Sequence, residues 1–366
     1  MKITHIDVWK FSIPMEPFTI ATGTMDYAQN TFIRIHTDAG IHGVGECSAF
    51  PMIVGETQNT CFEMAKDFAR LWKSKNAENI EERMQELHLF TAGNATIKSA
   101  FDMALYDLNA KKVNLPLYKY LGGTSLKQLE TDLTMGINTP EKMAATAKDF
   151  VARGVKKIKV KLGKNAQEDV IRMQQIRAAA GDEIKLRIDA NQGWSFEDAR
   201  FALTAMGDLN IQYCEQPMRT WNDGKLPELK NLSPIKIMAD ESIYHHHDAE
   251  RLIATDSCHY LNIKFAKSSG ILESIKIAEV ARKANMPCMI GGMLESRLAL
   301  SAFAQFAQAY DIVQFYDLDT CMVGHLADPV TGGIRYNDFY VEVPEGAGLG
   351  SDVKDDFLSQ LEHIQI

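Results

Sequence analysis

Three acidic residues stand where short apolar runs end. Asp189 closes IKLRID (184–189), Glu215 lies near the end of IQYCEQ (211–216), and Asp240 closes IKIMAD (235–240). Neighbouring parallel strands lie ~4.8 Å apart, so three such runs side by side would deliver the carboxylates to one rim, where they converge on one hard cation. An all-oxygen site with room for water and a bidentate carboxylate suits Mg²⁺, with Mn²⁺ as its substitute, better than Zn²⁺, which prefers His and Cys. The competing reading is that each acid caps the helix that follows it.

A second set of polar residues lies in KIKVKL (157–162). Period-2 alternation puts Lys157, Lys159 and Lys161 on one face and Ile158, Val160 and Leu162 on the other. On an edge strand the lysine face would simply be solvated; on a barrel strand it looks inward. Lys264 ends HYLNIK (259–264), four runs beyond Lys161, which in an eight-stranded barrel is the opposite wall. Lys267, in the loop that follows, is the weaker candidate.

Lysines facing each other across a carboxylate-bound cation suit one kind of chemistry. A proton α to a carboxylate is weakly acidic because its removal adds charge to an anion, and a chelated cation stabilises the enediolate that forms. Lysine acts as the base when a cation, burial and a neighbouring ammonium lower its pKa. Lys161 and Lys264 are therefore the expected acid/base pair. Lys159 is expected to give electrostatic support and to touch the substrate carboxylate.

These residues need a scaffold that puts several strand ends on one rim. Eight apolar runs, DLTMGI (132–137), KIKVKL, IKLRID, IQYCEQ, IKIMAD, HYLNIK, PCMIGG (287–292) and IVQFYD (312–317), recur every 20 to 30 residues, most followed by an amphipathic helix. That is the pattern of an α/β fold of the (β/α)-barrel type; a doubly wound open sheet reads similarly. Before them, residues 2–13 and 31–37 alternate as half-buried antiparallel strands do, and 56–74, 79–90 and 94–112 carry helical spacing.

Bulk composition narrows the partners. The chain has 366 residues, 46% hydrophobic, with a net charge of −9, which fits a soluble globular protein of two units and speaks against nucleic acid or an anionic membrane as partner. The start lacks a secretory apolar stretch, and the six cysteines are scattered without a CxxC pair, so buried reduced thiols and a cytoplasmic location are expected. A homo-oligomer is expected as well. His245, His246 and His247 are adjacent, so their side chains diverge from any single ion and read as a solvated helix start; the 17 methionines read as core filler.

Taken in order, KVK (159–161), DANQGW from Asp189, EQP from Glu215, ADES around Asp240 and NIK ending at Lys264 resemble the enolase superfamily, its muconate-lactonizing subgroup, and within it the dipeptide epimerases. The resemblance spans nearly the whole chain. It implies a modified TIM-type (β/α) barrel over 126–334 and an N-terminal α+β capping domain over 1–125, completed by 335–366. It also implies one Mg²⁺ per subunit held by Asp189, Glu215 and Asp240, with Lys161 and Lys264 inverting the α-carbon of a dipeptide's second residue by two-base 1,1-proton transfer through an enediolate.

Asp317 and Asp319, spaced to share a face at the end of the eighth run, match the DxD pair that receives a dipeptide's α-ammonium in that family; a turn pair is the plain alternative. Thr134 is expected to donate to the substrate carboxylate, and Gly291 and Gly292 to let backbone amides approach it. Relatives that act on Ala-Glu place an arginine in a capping loop, whereas TIATGT (19–24) has none and 50–54 reads FPMIV. The expected second residue is therefore small or hydrophobic, as in Ala-Ala or Ala-Val. N-acylamino acid racemase, o-succinylbenzoate synthase and muconate cycloisomerase activities are the near alternatives, and their substrates offer no ammonium for Asp317 and Asp319. A non-catalytic carboxylate-binding barrel is the remote one.

Overall fold

A computed structural model describes residues 1–366. The N-terminal strands Ile3–Ile20, Gly23–Thr37 and His42–Ser48 form an antiparallel sheet, whose outer edge is taken by the C-terminal strand His363–Gln365. Both early strands run longer than their alternating cores suggest, because they continue as one hairpin to the turn between Ile20 and Gly23. Helices Gln58–Trp72, Ile80–Phe90 and Ala95–Lys112 follow. The last is buried from Thr96 to Ala110, and Gly43 and Gly45 lie so close to it that a Cβ would stand 2.1 Å from Ala104 O and 1.9 Å from Ala100 O.

The barrel strands are Leu133–Met135, Lys157–Lys161, Lys185–Asp189, Ile211–Glu215, Ile237–Ala239, Tyr260–Ile263, Cys288–Gly291 and Val313–Asp317. All neighbours in this series are parallel and paired in chain order. A doubly wound sheet reverses its strand order at a switch point; here the order never reverses. Asp132 N donates to Tyr316 O at 3.3 Å, returning the eighth strand to the first. The outward residues Ile158, Val160, Leu162, Leu186 and Ile188 join the main apolar core. Inside, Tyr213, Met238 and Met289 pack with Tyr260 and Phe315, and Arg187 lies over the Tyr213 and Phe315 rings at 5.5 and 5.3 Å.

Carboxylates from the N-terminal unit complete barrel helices. Glu46 accepts from Ser296 N at 2.9 Å, Ser296 Oγ at 2.6 Å and Ala299 N at 3.2 Å, capping Arg297–Ala309. Asp102 accepts from Ile271 N and Leu272 N at the start of Ile271–Lys283, whose own N-cap is the side-chain-less Gly270. First-turn amides lack intrahelical partners, so these buried acids tie the two units together through otherwise unmet donors. The hairpin reaches the same rim: Ile137 N donates to Thr19 O and Glu16 N to Gly324 O, both at 2.9 Å.

The six cysteines are unbonded, with only Cys321 not fully buried. No helix is long and apolar enough to cross a membrane. The three histidines start the helix His246–Ala254, and each ring faces a different acid: His245 Asp248, His246 Glu273 and His247 Glu250.

Candidate active site

Barrel register explains why the polar residues share one rim. Lys161 pairs with Asp189 and Asp189 with Glu215 across adjacent strands, so their side chains emerge at one level, and Asp240 follows the next strand directly. Lys161 Nζ lies 2.6 Å from Asp189 Oδ2, and Lys264 Nζ lies 2.9 Å from Asp240 Oδ2. Both lysines keep a little exposure, 8% and 5%, and both open on one cavity with Asn191, Thr134, Gly292, Asp317 and Asp319. They stand on the second strand and directly after the sixth, on opposite walls.

Two other lysines lie beneath the site. Lys159 has no solvent exposure, and its Nζ stands 2.7 Å from Asp317, 2.8 Å from Glu215 and 3.4 Å from Asp189. It lies beneath the cavity rather than in its lining and bridges two acidic groups. Burial opposes its charge, but Asp317, Glu215 and Asp189 outweigh that and hold its pKa well above that of a free lysine. Lys267, buried, reaches Asp240 Oδ1 at 2.5 Å and Asn262 O at 3.2 Å. It braces the loop rather than facing the cavity.

The acids on this rim feel opposite balances of burial and neighbouring charge. Burial, reinforced by Asp189, pushes the Glu215 carboxyl up to about 8. Burial works against Asp240 too, but Lys264 and Lys267 hold it far below the usual carboxylate range. Glu215 Oε1 accepts from Asn262 Nδ2 at 2.8 Å, and Asn191 N donates to Asp189 Oδ1 at 2.9 Å. Glu215 Oε2 and Asp240 Oδ2, although near lysine nitrogens, accept no hydrogen bond of sound geometry. Two orphaned buried oxygens in an all-carboxylate donor set fit a hard divalent cation.

A second acidic group closes the cavity's far end. Carboxylate oxygens of Asp132, Asp317 and Asp319 lie within 4.8 Å of one another. Arg187 Nη1 donates to Asp132 at 2.7 Å, Lys159 to Asp317 at 2.7 Å, and Thr134 N to Asp319 at 2.5 Å. Burial is opposed at Asp317 by Lys159 and Lys161, which bring it to about 2. At Asp319, burial together with Asp317 and Asp132 pushes the carboxyl well above its usual range. Close approach alone would nominate this trio for a metal. One oxygen of each acid, however, is already engaged, Asp132 by Arg187, Asp317 by Lys159 and Asp319 by the Thr134 amide, and three acids with two cations among them describe a place short of one monovalent cation.

Thr134 and Gly292, both expected to contact substrate, line the cavity. Thr134 turns its amide to Asp319, at the acidic end. Gly292 lines the cavity, but its amide donates to Asp317 O at 2.9 Å, and the next helix begins only at Arg297, so no free helix N-terminus faces the site. Gly291 is required by crowding, since a Cβ there would stand 2.6 Å from Asn262 Oδ1.

Sequence reasoning passed over Asp132, Arg187, Asn191, Asn262 and Glu241. Glu241 is buried with both oxygens unpartnered, and burial followed by Asp240 and Asp189 pushes it up to about 7. Asp132 and Asn262 lay inside the quoted runs, and a polar residue within a barrel strand was the available signal. The apolar roof comes from the N-terminal unit and the later loops: Met15, Phe18, Ile20, Met25, Phe50 and Ile53, with Met293 and Leu294. Lys161 and Lys264 are the only cations lining the cavity.

Comparison with known proteins places this geometry among relatives. Residues 3–122 match the profile of the mandelate racemase/muconate lactonizing enzyme N-terminal domain, and 142–357 that of the enolase C-terminal domain-like family. The chain is 44% identical to the D-Ala-D/L-Ala epimerase of Cytophaga hutchinsonii over the full length of both. The crystal structure of the dipeptide epimerase from that organism, with Mg and D-Ala-L-Val, superposes at a TM-score of 0.98 with 100% of both chains covered. The hydrophobic dipeptide epimerase of Enterococcus faecalis is 36% identical over 96% of this chain and 99% of its own. The Enterococcus faecalis dipeptide epimerase, complexed with Mg and L-Leu-L-Tyr, gives a TM-score of 0.92 over 96% and 100% of the two chains. The L-Ala-D/L-Glu epimerase of Bacillus subtilis is 34% identical over 96% of each chain.

Proposed function

The chain belongs to the mandelate racemase/muconate lactonizing enzyme family of enolase-like proteins, and from that premise we propose that it is a Mg²⁺-dependent dipeptide epimerase acting on the second residue's α-carbon. The observation that carries this reading is a single cavity with Lys161 and Lys264 on opposite walls and a cation-deficient acidic group, Asp317 and Asp319, at one end. One lysine removes the α-proton and the other delivers a proton to the opposite face, so that both stereoisomers are handled through a common enediolate. Asp189, Glu215 and Asp240 would hold Mg²⁺, which when bound offsets the negative charge that develops on the substrate's carboxylate.

Asp317 and Asp319 take the α-ammonium, with Lys159 keeping Asp317 ionised beneath it. A buried acid pair is left wanting by any substrate without that charge, which disfavours N-acyl and succinyl substrates. The roof is apolar and the cavity has no arginine, which supports a small or hydrophobic second residue over glutamate. In this reading residues 1–125 with 335–366 are the capping unit and 126–334 the barrel. The strand His363–Gln365, paired to residues 7–9, supports that division. We further propose a cytoplasmic homo-oligomer. Exposed Leu89 and Trp221, at 80% and 77%, offer apolar contact surface, and light scattering of the purified protein tests it.

The deciding experiment incubates the purified protein with Mg²⁺ in D₂O and Ala-Ala, Ala-Val, Ala-Glu or N-succinyl-alanine. One deuteron is expected at the second residue's α-carbon of Ala-Ala and Ala-Val, and none on the succinyl compound. Exchange on the succinyl compound alone overturns the dipeptide reading; equal turnover of Ala-Glu and Ala-Val overturns the side-chain preference.

A further inference from the structure

We infer that this protein accepts size at the first residue of its substrate: a side cavity beyond the ammonium-binding end takes a large apolar first side chain, as in Leu-Ala or Phe-Ala. The inference rests on the dipeptide reading above. The cavity over Lys161 and Lys264 is tight, with a volume of about 50 Å³, and Ile20, Phe50, Ile53 and Leu294 are among the residues that wall it. A second cavity of about 340 Å³ lies next to it, and the two share Phe18, Thr134 and Val323. Thr134 identifies the end at which they meet, because its amide donates to Asp319. A first residue whose ammonium sits on Asp317 and Asp319 therefore sends its side chain off beside this shared wall.

The second cavity's own lining is the apolar inner side of the helix Pro140–Ala152 and the first barrel strand: Met143, Phe150, Leu133 and Ile137, with Thr146 beside them. Arg153 stands at its edge, packed on the Phe150 ring at 5.6 Å with Asp149 at 3.5 Å. Its charge is thus already answered, so the cavity favours an apolar side chain over an acidic one. Phe18, which divides the two spaces, follows a break in the hairpin register between Pro14 and Phe18. The ladder resumes at Phe18, which pairs with Met25, so any adjustment to an occupant falls to its side chain.

Burial of a larger first side chain is equal in the ground and transition states, so it lowers KM and leaves kcat nearly unchanged. In D₂O exchange kinetics on the unmodified protein, Leu-Ala and Phe-Ala are expected to show KM values about fivefold or more below that of Ala-Ala. Ala-Phe should fall at least about tenfold in kcat/KM, and Glu-Ala should show no gain over Ala-Ala. Thr146→Trp, which fills the side cavity from the helix, should lower the ratio of kcat/KM for Leu-Ala over Ala-Ala about tenfold. Turnover of Ala-Ala with Leu-Ala and Phe-Ala markedly poorer overturns the side cavity and leaves the dipeptide reading standing. No exchange with any dipeptide overturns both. The substrate series needs no variant, so a T146W protein that fails to fold does not stop the test.

Discussion

Two acidic groups share one cavity and differ in how their charge is answered. Asp189, Glu215 and Asp240 are surrounded by Lys159, Lys161, Lys264 and Lys267. Asp132, Asp317 and Asp319 have only Arg187 and a share of Lys159. The first group has more cations than acids, yet two of its oxygens lack a hydrogen bond. The second has three acids and fewer cations to answer them. Buried charge is costly unless paired, so the first arrangement suits a divalent ion that reorganises lysines already present, and the second suits one incoming ammonium. Lys159, buried between them, is common to both and binds their electrostatics together.

The largest effect should come from the lysines that face the cavity. Lys161→Ala or Lys264→Ala is expected to lower epimerisation by about 10³-fold or more, measured by polarimetry, while each variant still exchanges the proton of one stereoisomer. Loss of neither activity breaks the two-base assignment.

Next is the cation-deficient group. Asp319→Asn is expected to lower kcat/KM for Ala-Ala by about 10²-fold, chiefly through KM. N-acetyl-Ala-Ala, which carries no ammonium, should be a poor substrate of the native protein and little changed in the variant. An equal loss on both compounds would mean that Asp319 serves structure rather than the amine.

The divalent group is tested without turnover. Mg²⁺ at about 100 times its Kd should add about 2.7 kcal/mol of stability, seen as a rise in Tm. The rise should be abolished in Glu215→Gln, and the same rise in that variant would move the ion elsewhere.

The smallest effect belongs to a carboxylate outside both groups. Asp7 meets His36 at 2.9 Å and His363 at 2.8 Å, holding the C-terminal strand to the first sheet. Burial raises its pKa, but the neighbouring His36 and His363 imidazoles bring it down to about 2 from 3.8. A depressed carboxylate stabilises the fold above pH 3.8, and that contribution is lost as pH falls through about 2. Since the histidine partners reach solvent, screening leaves about 1 kcal/mol. Asp7→Asn should show that deficit in urea unfolding at neutral pH, and the gap between variant and native protein should close in acid.

Much of the scaffold was legible because burial writes itself into pattern. All eight expected runs became barrel strands, and helices 58–72, 80–90 and 95–112 fall within the periodic stretches 56–74, 79–90 and 94–112. Asp189, Glu215, Asp240, Lys161 and Lys264 stood out because a charge in a strand covered on both faces needs a reason. Asp132 and Asn262 stayed hidden inside runs that already carried an assignment. Glu46 and Asp102 were invisible: each meets amides of a barrel helix through the fold, 250 and 169 residues away, and no local spacing encodes such a partner.

By itself the sequence determined which elements form, that charged groups gather at strand ends, and the absence of an arginine from the 19–24 loop. These follow from side-chain alternation and composition, which act over a few residues. Tertiary structure alone decided that Lys159 lies beneath the cavity and Lys161 within it, that the Gly292 amide is already engaged, and that Thr134 belongs to the acidic end. It also decided that room for a large side chain lies beyond Thr134 and not over the lysines. Cavities and hydrogen-bond competition depend on distances between segments far apart in the chain, and those distances exist only once the barrel has closed and the N-terminal unit has docked on its rim.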